Sequence, residues 1–163
     1  MTDRPSWDDW ALGIAHAVAA RADCTRRKIG AVILDSEHRI VSTGYNGSPP
    51  GGPSCLAGEC PRGQHRRIPG GFAVDNQNWK PETCACGKWW PCREASEPGS
   101  SYDTGYGVCI ALHAELNAIL YADRERLDEA TLYITDEPCD GCMKIIKGTR
   151  IKRVVTPEHD WKR

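Results

Sequence analysis

Two short stretches, His113-Ala114-Glu115 and Pro138-Cys139-Asp140-Gly141-Cys142, restrict what this 163-residue chain can fold into more than any other feature. Each opens a segment that reads as a helix, and twenty-six residues separate His113 from Cys139. That interval is what a helix, a turn and a strand require. In such a strand–helix layout both helix N-termini point to the same end of a sheet. Cys139 and Cys142 stand three apart, so their sulfurs converge as in other paired-thiolate zinc sites. One imidazole and two thiolates form a tetrahedral site with an open fourth position, the mark of a catalytic rather than a structural zinc. An ion there brings the pKa of its water toward about 7. Residues two apart on a helix diverge, so Glu115 does not share the ligand role of His113. It is placed instead to move protons as a general acid–base group.

Apolar periodicity supplies the elements around these motifs. Trp7, Trp10, Ala11, Ile14, Ala15, Val18 and Ala19 recur at steps of three and four behind Ser6, predicting an amphipathic helix with Ser6 as its N-cap. Gly30–Leu34 and Arg39–Tyr45 read as strands joined by a turn at Asp35-Ser36-Glu37-His38, which makes an antiparallel hairpin. From Gly47 to Gly107 the pattern dissolves. Eight of the eleven prolines fall there, with Cys55, Cys60, Cys84, Cys86 and Cys92. A structureless loop of this length is uncommon in a compact domain unless it is functional or pinned. Order returns at Cys109, where Ile110 to Ala122 predict a deeply buried helix. Ala130–Thr135, Asp140–Lys147 and Lys152–Thr156 then read as strand, helix and strand, a right-handed parallel crossover.

The expected fold class is therefore α/β. It is a three-layer sandwich with a central mixed sheet, its first hairpin antiparallel and its later strands parallel, and helices on both faces. We read one domain over residues 1–163, with a Cys/Gly/Pro-rich insertion at about 47–108. Seven residues follow Thr156, which predicts four strands or an edge completed by a partner.

Charge narrows the function classes. Twenty-one basic residues against twenty-two acidic ones give a formal net charge of −1. A protein that holds long nucleic acid carries a basic stripe, so a small-molecule substrate is expected instead. No apolar run approaches the roughly 18 residues of a membrane span, and Met1–Trp7 has no signal core behind it. A cytoplasmic protein is expected. Nine cysteines in that compartment point to metal rather than disulfides.

The His-x-Glu…Pro-Cys-x-x-Cys signature marks zinc deaminases. Further stretches extend the likeness: Lys28-Ile29-Gly30-Ala31-Val32-Ile33, Ser42-Thr43-Gly44-Tyr45-Asn46-Gly47-Ser48-Pro49, Asn117-Ala118-Ile119, Ala130–Thr135 and Ile151–Val155. With them the chain resembles the deoxycytidylate (dCMP) deaminase family, within the cytidine deaminase superfamily. The likeness leaves out most of the loop from Ser54 to Val108. It implies a zinc-dependent hydrolase converting dCMP to dUMP and ammonia, with His113, Cys139 and Cys142 on the zinc and Glu115 as the catalytic residue. The substrate would contact Asn46, which bonds the sugar, with Ala114, and with Arg26 and Arg27 as candidates for the 5′-phosphate. Family members are often homo-oligomers regulated by dCTP and dTTP. The Gly-Tyr-Asn-Gly element argues against relatives acting on tRNA adenosine, guanine or riboflavin precursors. A 5-substituted dCMP or a free nucleoside stays open as substrate. The rival from another class is a non-catalytic zinc module, which would leave Glu115 without a role.

Some phage members of this family carry a second, structural zinc, and Cys24 and Cys55 match two of its ligand positions. The histidines that complete it are absent here. The expected set is thus Cys24 and Cys55 with two thiolates from Cys84, Cys86 and Cys92, pinning the long loop. Cys109 is left out of that set. His16 and His38 read as ordinary surface or packing residues, and His65 and His159 are set aside as ligands.

Overall fold

Gly30–Leu34 is buried at all five positions, and a strand buried on both faces needs a layer on either side of it. The computed structural model describes residues 4–65, 67–68, 82–89 and 109–163. Along the chain run α1 (Trp7–Ala19), β1 (Gly30–Leu34), β2 (Ile40–Tyr45), α2 (Pro61–Gln64), β3 (Arg67–Ile68) and β4 (Thr83–Cys84). There follow α3 (Ala114–Leu120), a 3₁₀ turn (Arg124–Leu127), β5 (Thr131–Ile134), α4 (Asp140–Lys147), β6 (Arg153–Val155) and β7 (Asp160–Lys162). The chain divides into two compact units, residues 1–49 with 111–163, and residues 50–110.

The first unit is the three-layer α/β sandwich. Its sheet runs β2-β1-β5-β6-β7. Alternation along the strands makes two cores. Ala31, Ile33, Leu132, Ile134 and Val154 face Ala114 and Ala118 of α3 and Ile146 of α4. Val32, Leu34, Tyr133 and Val155 face Ala11 and Ala15 of α1. Ser6 caps α1 as expected, its Oγ accepting from the Asp9 N–H at 3.0 Å.

Three expectations are corrected and one is completed. The sheet has five strands, because the Thr156 N–H donates to the His159 carbonyl at 2.8 Å and turns Asp160–Lys162 back along β6. That strand is three residues with one apolar side chain, Trp161, too short for a periodic signal. The first hairpin is antiparallel and β5 and β6 are parallel, as expected, while β5 meets β1 antiparallel, a pairing the sequence left open. Spacing set the direction only across α4, where a single crossover joins two neighbours. The apolar helix is shorter than Ile110–Ala122 and buried on one side, with Ala114, Glu115 and Ala118 covered and Leu120 exposed. Leu112, ahead of it, is extended and bridges to Gly47. Trp7 and Trp10 are also exposed, since the small side chains of Ala11, Ala15 and Ala19 form the face that α1 buries.

An ionic cluster ties α1 to the far half of the sheet. Arg153 donates to both oxygens of Asp8, at 2.8 and 2.7 Å, and to both of Asp160, at 2.8 and 2.9 Å. Tyr133 Oη donates to Asp8 at 2.9 Å. The Arg153 hydrogen bonds hold the Asp8 carboxyl below its usual range, against partial burial and with help from Tyr133. A carboxyl depressed by folding stabilises above its unfolded pKa of about 3.9, and that contribution fades as pH falls through the folded value. Asp8→Asn is therefore expected to cost about 1 kcal/mol at neutral pH, given the cluster's solvent exposure. Urea unfolding at a series of pH values should also show a shallower acid limb in the variant than in the parent. Parallel acid limbs would mean that Asp8 is not held as described.

In the second unit β3 and β4 form a two-residue antiparallel ribbon, with Arg67 opposite Cys84. The short helix α2 precedes it. No helix among the described residues is long and apolar enough to cross a membrane.

Candidate active site

The helix that carries His113 and Glu115 lies on β2 at Gly44. A Cβ built on Gly44 would stand 2.2 Å from the Ala114 carbonyl oxygen and 2.3 Å from the Ala118 nitrogen, both backbone atoms of α3. Only glycine permits this approach. Side chains then fix the helix in place. Ser42 Oγ donates to the Ala118 carbonyl at 2.7 Å, and Asn117 Nδ2 donates to the Tyr45 carbonyl at 2.9 Å. His113 is the N-cap residue of α3 and keeps extended backbone angles, φ −71° and ψ 152°.

Cys139 holds the equivalent N-cap position of α4. Its Sγ accepts from the Cys142 N–H at 3.5 Å, so the capping bond itself turns both sulfurs to the helix start. His113 Nδ1 stands 3.6 Å from Cys139 Sγ and 3.3 Å from Cys142 Sγ. Ordinary zinc bond lengths in a tetrahedron set nitrogen and sulfur ligands about 3.5 Å apart. The three donors therefore fit one zinc ion, and their atoms all lie within 4.8 Å of one another.

Glu115 sits beside this triad and is 4 % exposed. Burial pushes its carboxyl above the ordinary range, and the Asp136 charge adds to that push. Its own backbone N–H, the His113 charge and the Cys142 thiol pull the other way. Burial likewise drives the Cys142 thiol up, with the Glu115 and Cys139 charges acting in the same direction. Acidic groups crowded this closely disfavour one another's ionised forms, and a divalent cation among them reverses the balance.

The remaining expected contacts are more varied. Asn46 is buried and binds the irregular segment that leads into β1. Its Oδ1 accepts from the Ile29 N–H at 2.8 Å, and its Nδ2 donates to the Arg27 carbonyl at 2.8 Å. Each of those atoms has capacity for one further hydrogen bond. Arg27 Nη1 pairs with Asp136 at 3.0 Å, both side chains being well exposed. Arg26 is exposed, and its N–H lies 3.4 Å from Cys24 Sγ. Ala114 is wholly buried at the start of α3. Asp136 escaped the sequence reading, because nothing in its neighbourhood marks it as facing Glu115 and Arg27.

Of the extra cysteines, Cys24 belongs to the first unit, and Cys55, Cys84 and Cys86 to the second. Cys92 lies outside the described residues. Cys84 and Cys86 gather with His65, a residue set aside on sequence. Nineteen residues separate His65 from Cys84, an interval that matches no familiar ligand spacing. Burial alone would raise the Cys60 thiol. Backbone N–H groups of Gly63 and Ile110, the Cys55 thiol and the Arg62 N–H together outweigh it and bring Cys60 below its usual value. His159 pairs with Glu137 at 3.0 Å on the surface.

Residues 5–158 match the family model described as the cytidine and deoxycytidylate deaminase zinc-binding region. The chain is 41% identical over 155 residues to a deoxycytidylate deaminase of Mycobacterium phage D29, spanning 95% of this chain and 97% of that one. It is 35% identical over 153 residues to a deoxycytidylate deaminase of Schizosaccharomyces pombe, which takes in 93% of this chain and 37% of that longer protein. A solved structure of the dCMP deaminase from cyanophage S-TIM5 in complex with dCMP and dUMP aligns with a TM-score of 0.55. It is 20% identical, over 94% of this chain and 82% of that one, a likeness of fold.

Proposed function

Because this chain belongs to the cytidine and deoxycytidylate deaminase family, we propose that it hydrolyses dCMP to dUMP and ammonia. The observation that carries the reading is a buried carboxyl, Glu115, beside a three-donor site of His113, Cys139 and Cys142. A zinc ion held by those donors supplies a water that is acidic near neutral pH. The rest falls to Glu115. Its carboxylate accepts a proton from the water whose oxygen attacks C4 of the ring. It passes that proton to N3, takes the second proton of the same water, and delivers it to the amine, which leaves as ammonia when the C4–N bond breaks. Burial suits the task, since a carboxyl with raised proton affinity both accepts and returns a proton.

Substrate recognition follows the remaining capacity of the site. Asn46 offers one N–H and one lone pair to the sugar, whereas Ala114, wholly buried, backs the site without surface of its own to touch the ring. Arg26 and Arg27 are placed on the 5′-phosphate, with the phosphate exchanging for Asp136 on Arg27. Self-association and regulation by dCTP and dTTP belong to the same reading and rest on the family resemblance alone, and a cytoplasmic location is proposed with them.

The test is ammonia release from dCMP, CMP, deoxycytidine, cytidine, dCTP and guanine at matched concentrations. Turnover of dCMP is expected to exceed the others, and deoxycytidine should lose at least about tenfold in kcat/KM for want of the phosphate contacts. Equal rates on deoxycytidine and dCMP would remove the roles of Arg26 and Arg27. Silence across the panel would remove the reading.

A further inference from the structure

We propose that Glu137, held by Thr156 and His159, is a positioning residue for Cys139, bracing one sulfur of the candidate zinc site from the turn between β6 and β7. The inference rests on the ligand role proposed for Cys139 and not on which substrate the site takes. Thr156 is 4 % exposed, and its hydroxyl donates to Glu137 Oε1 at 2.5 Å. The same hydroxyl accepts from the His159 N–H at 3.0 Å and from the Glu158 N–H at 3.3 Å. His159 Nδ1 stands 3.0 Å from that same Glu137 oxygen. Facing a carboxylate, this nitrogen carries the proton. The His159 ring stacks on Trp161, with centroids 5.2 Å apart, and Trp161 packs against the core shared with α3 and α4. A continuous set of contacts thus runs from the core through Trp161 and His159 to Glu137.

Pro138 carries that restraint on to Cys139. Its ring locks its own φ and keeps the residue before it, Glu137, out of the helical region. Few soft dihedrals remain between the held carboxylate and the Cys139 backbone. Cys139 has the extended angles of an N-cap, φ −69° and ψ 164°, and places its Sγ 3.6 Å from His113 Nδ1.

The two residues ahead of Glu137 are tied down as well. Thr135 Oγ1 accepts from the Gly30 N–H at 3.1 Å, and its own N–H donates to the Gly30 carbonyl at 3.0 Å. Asp136 binds Arg27 through one oxygen at 3.0 Å and accepts the Glu137 N–H on the other at 2.9 Å. Those two hold the loop to β1 and the segment before it, whereas Glu137 holds it to the β6–β7 turn. The arrangement gives β7 a role beyond closing the sheet, because its antiparallel pairing with β6 forms the turn that presents Thr156 and His159. Residues behind a metal's ligands commonly change metal affinity or activity by ten- to a hundredfold.

Zinc release from the purified full chain to a chromophoric chelator is the test, read on the ion that Cys139→Ser abolishes. Thr156→Val keeps the buried volume and removes the hydroxyl, and Glu137→Ala removes the acceptor. Both are expected to release that ion about tenfold faster than the parent and to lower kcat on dCMP with KM little changed. Loaded with Co²⁺, both should shift the tetrahedral d–d bands. Thr156→Ser and Glu137→Gln, which keep the hydroxyl and the accepting oxygen, should restore the parent's behaviour. Leu34→Ala opens a cavity at the far end of β1 from Gly30; it controls for lost stability and should release zinc as the parent does. Parent-like release and cobalt bands in Thr156→Val and Glu137→Ala would overturn the brace, and so would equal acceleration in Leu34→Ala. Where Thr156→Val does not fold, the partly exposed Glu137→Ala gives the same readout. Zinc kept in full by Cys139→Ser would instead remove the ligand reading on which the brace depends.

Discussion

Glu115→Gln is expected to abolish turnover of dCMP, by about a thousandfold or more, while fold and zinc content stay as in the parent. Glutamine matches the carboxyl in size, so the packing around this buried position is preserved. Its amide keeps hydrogen-bonding capacity but neither takes a proton from water nor returns one to the ring and the amine. Zinc should remain because the ligands are His113, Cys139 and Cys142, whose mutual geometry does not pass through Glu115. Removing an acidic group from beside Cys142 also relieves the charge that burial makes costly there. Ammonia release and metal analysis on the same preparation separate these effects. Near-normal rates in a zinc-loaded variant would falsify the proton-transfer role. Zinc loss would reassign Glu115 to the metal shell.

Gly44→Ala is expected, like alanine at Gly30, whose built Cβ also meets helix backbone, to have one of the largest effects on stability outside the candidate metal ligands. The added methyl would lie 2.2 Å from one backbone atom of α3 and 2.3 Å from another. No side-chain rotamer relieves a clash with backbone, so the helix must move away from β2. Overpacking of this kind costs about 3 kcal/mol, which in a chain of this size lowers Tm by roughly 6 to 12 °C. The displacement matters for chemistry as well, because His113 and Glu115 ride on the first turn of that helix. The hydrogen bonds from Ser42 and Asn117 would lengthen with it. We expect kcat on dCMP to fall more than Tm alone explains when assays are run well below the melting range. Gly13→Ala is the natural control. That glycine has nothing within 4 Å of a built Cβ and sits in α1, where alanine should be neutral or slightly stabilising. Comparable behaviour of the two variants by thermal melting and steady-state kinetics would mean that the contact at Gly44 is not tight.

Much of the candidate site was legible in the sequence because the residues that converge there obey local geometry. A Cys-x-x-Cys at a helix start converges through one turn of backbone, and the interval from His113 to Cys139 is set by the lengths of a helix, a turn and a strand. Glu115, two residues beyond His113, was enough for the sequence to suggest separate proton-transfer and metal-binding roles, and the structure buries its side chain. The same locality explains α1, the first hairpin and the β5–α4–β6 crossover, each of which announces itself by periodicity.

What only the tertiary structure decided is long-range or too short to be periodic. The antiparallel approach of β5 to β1 joins strands almost a hundred residues apart, and no local pattern encodes that pairing. The strand Asp160–Lys162 exists because it finds β6 to bond with. Asp136 faces Glu115, and His65 stands with Cys84 and Cys86, only through folding of the segments between them. Gly44 was visible as part of a motif. Its physical reason, a helix backbone within 2.2 Å of the missing Cβ, belongs to the packed molecule. Sequence specifies the chemistry of each donor and the short-range turns that present it. Which distant groups meet is settled by the burial of two apolar layers on one sheet, a property of the whole chain.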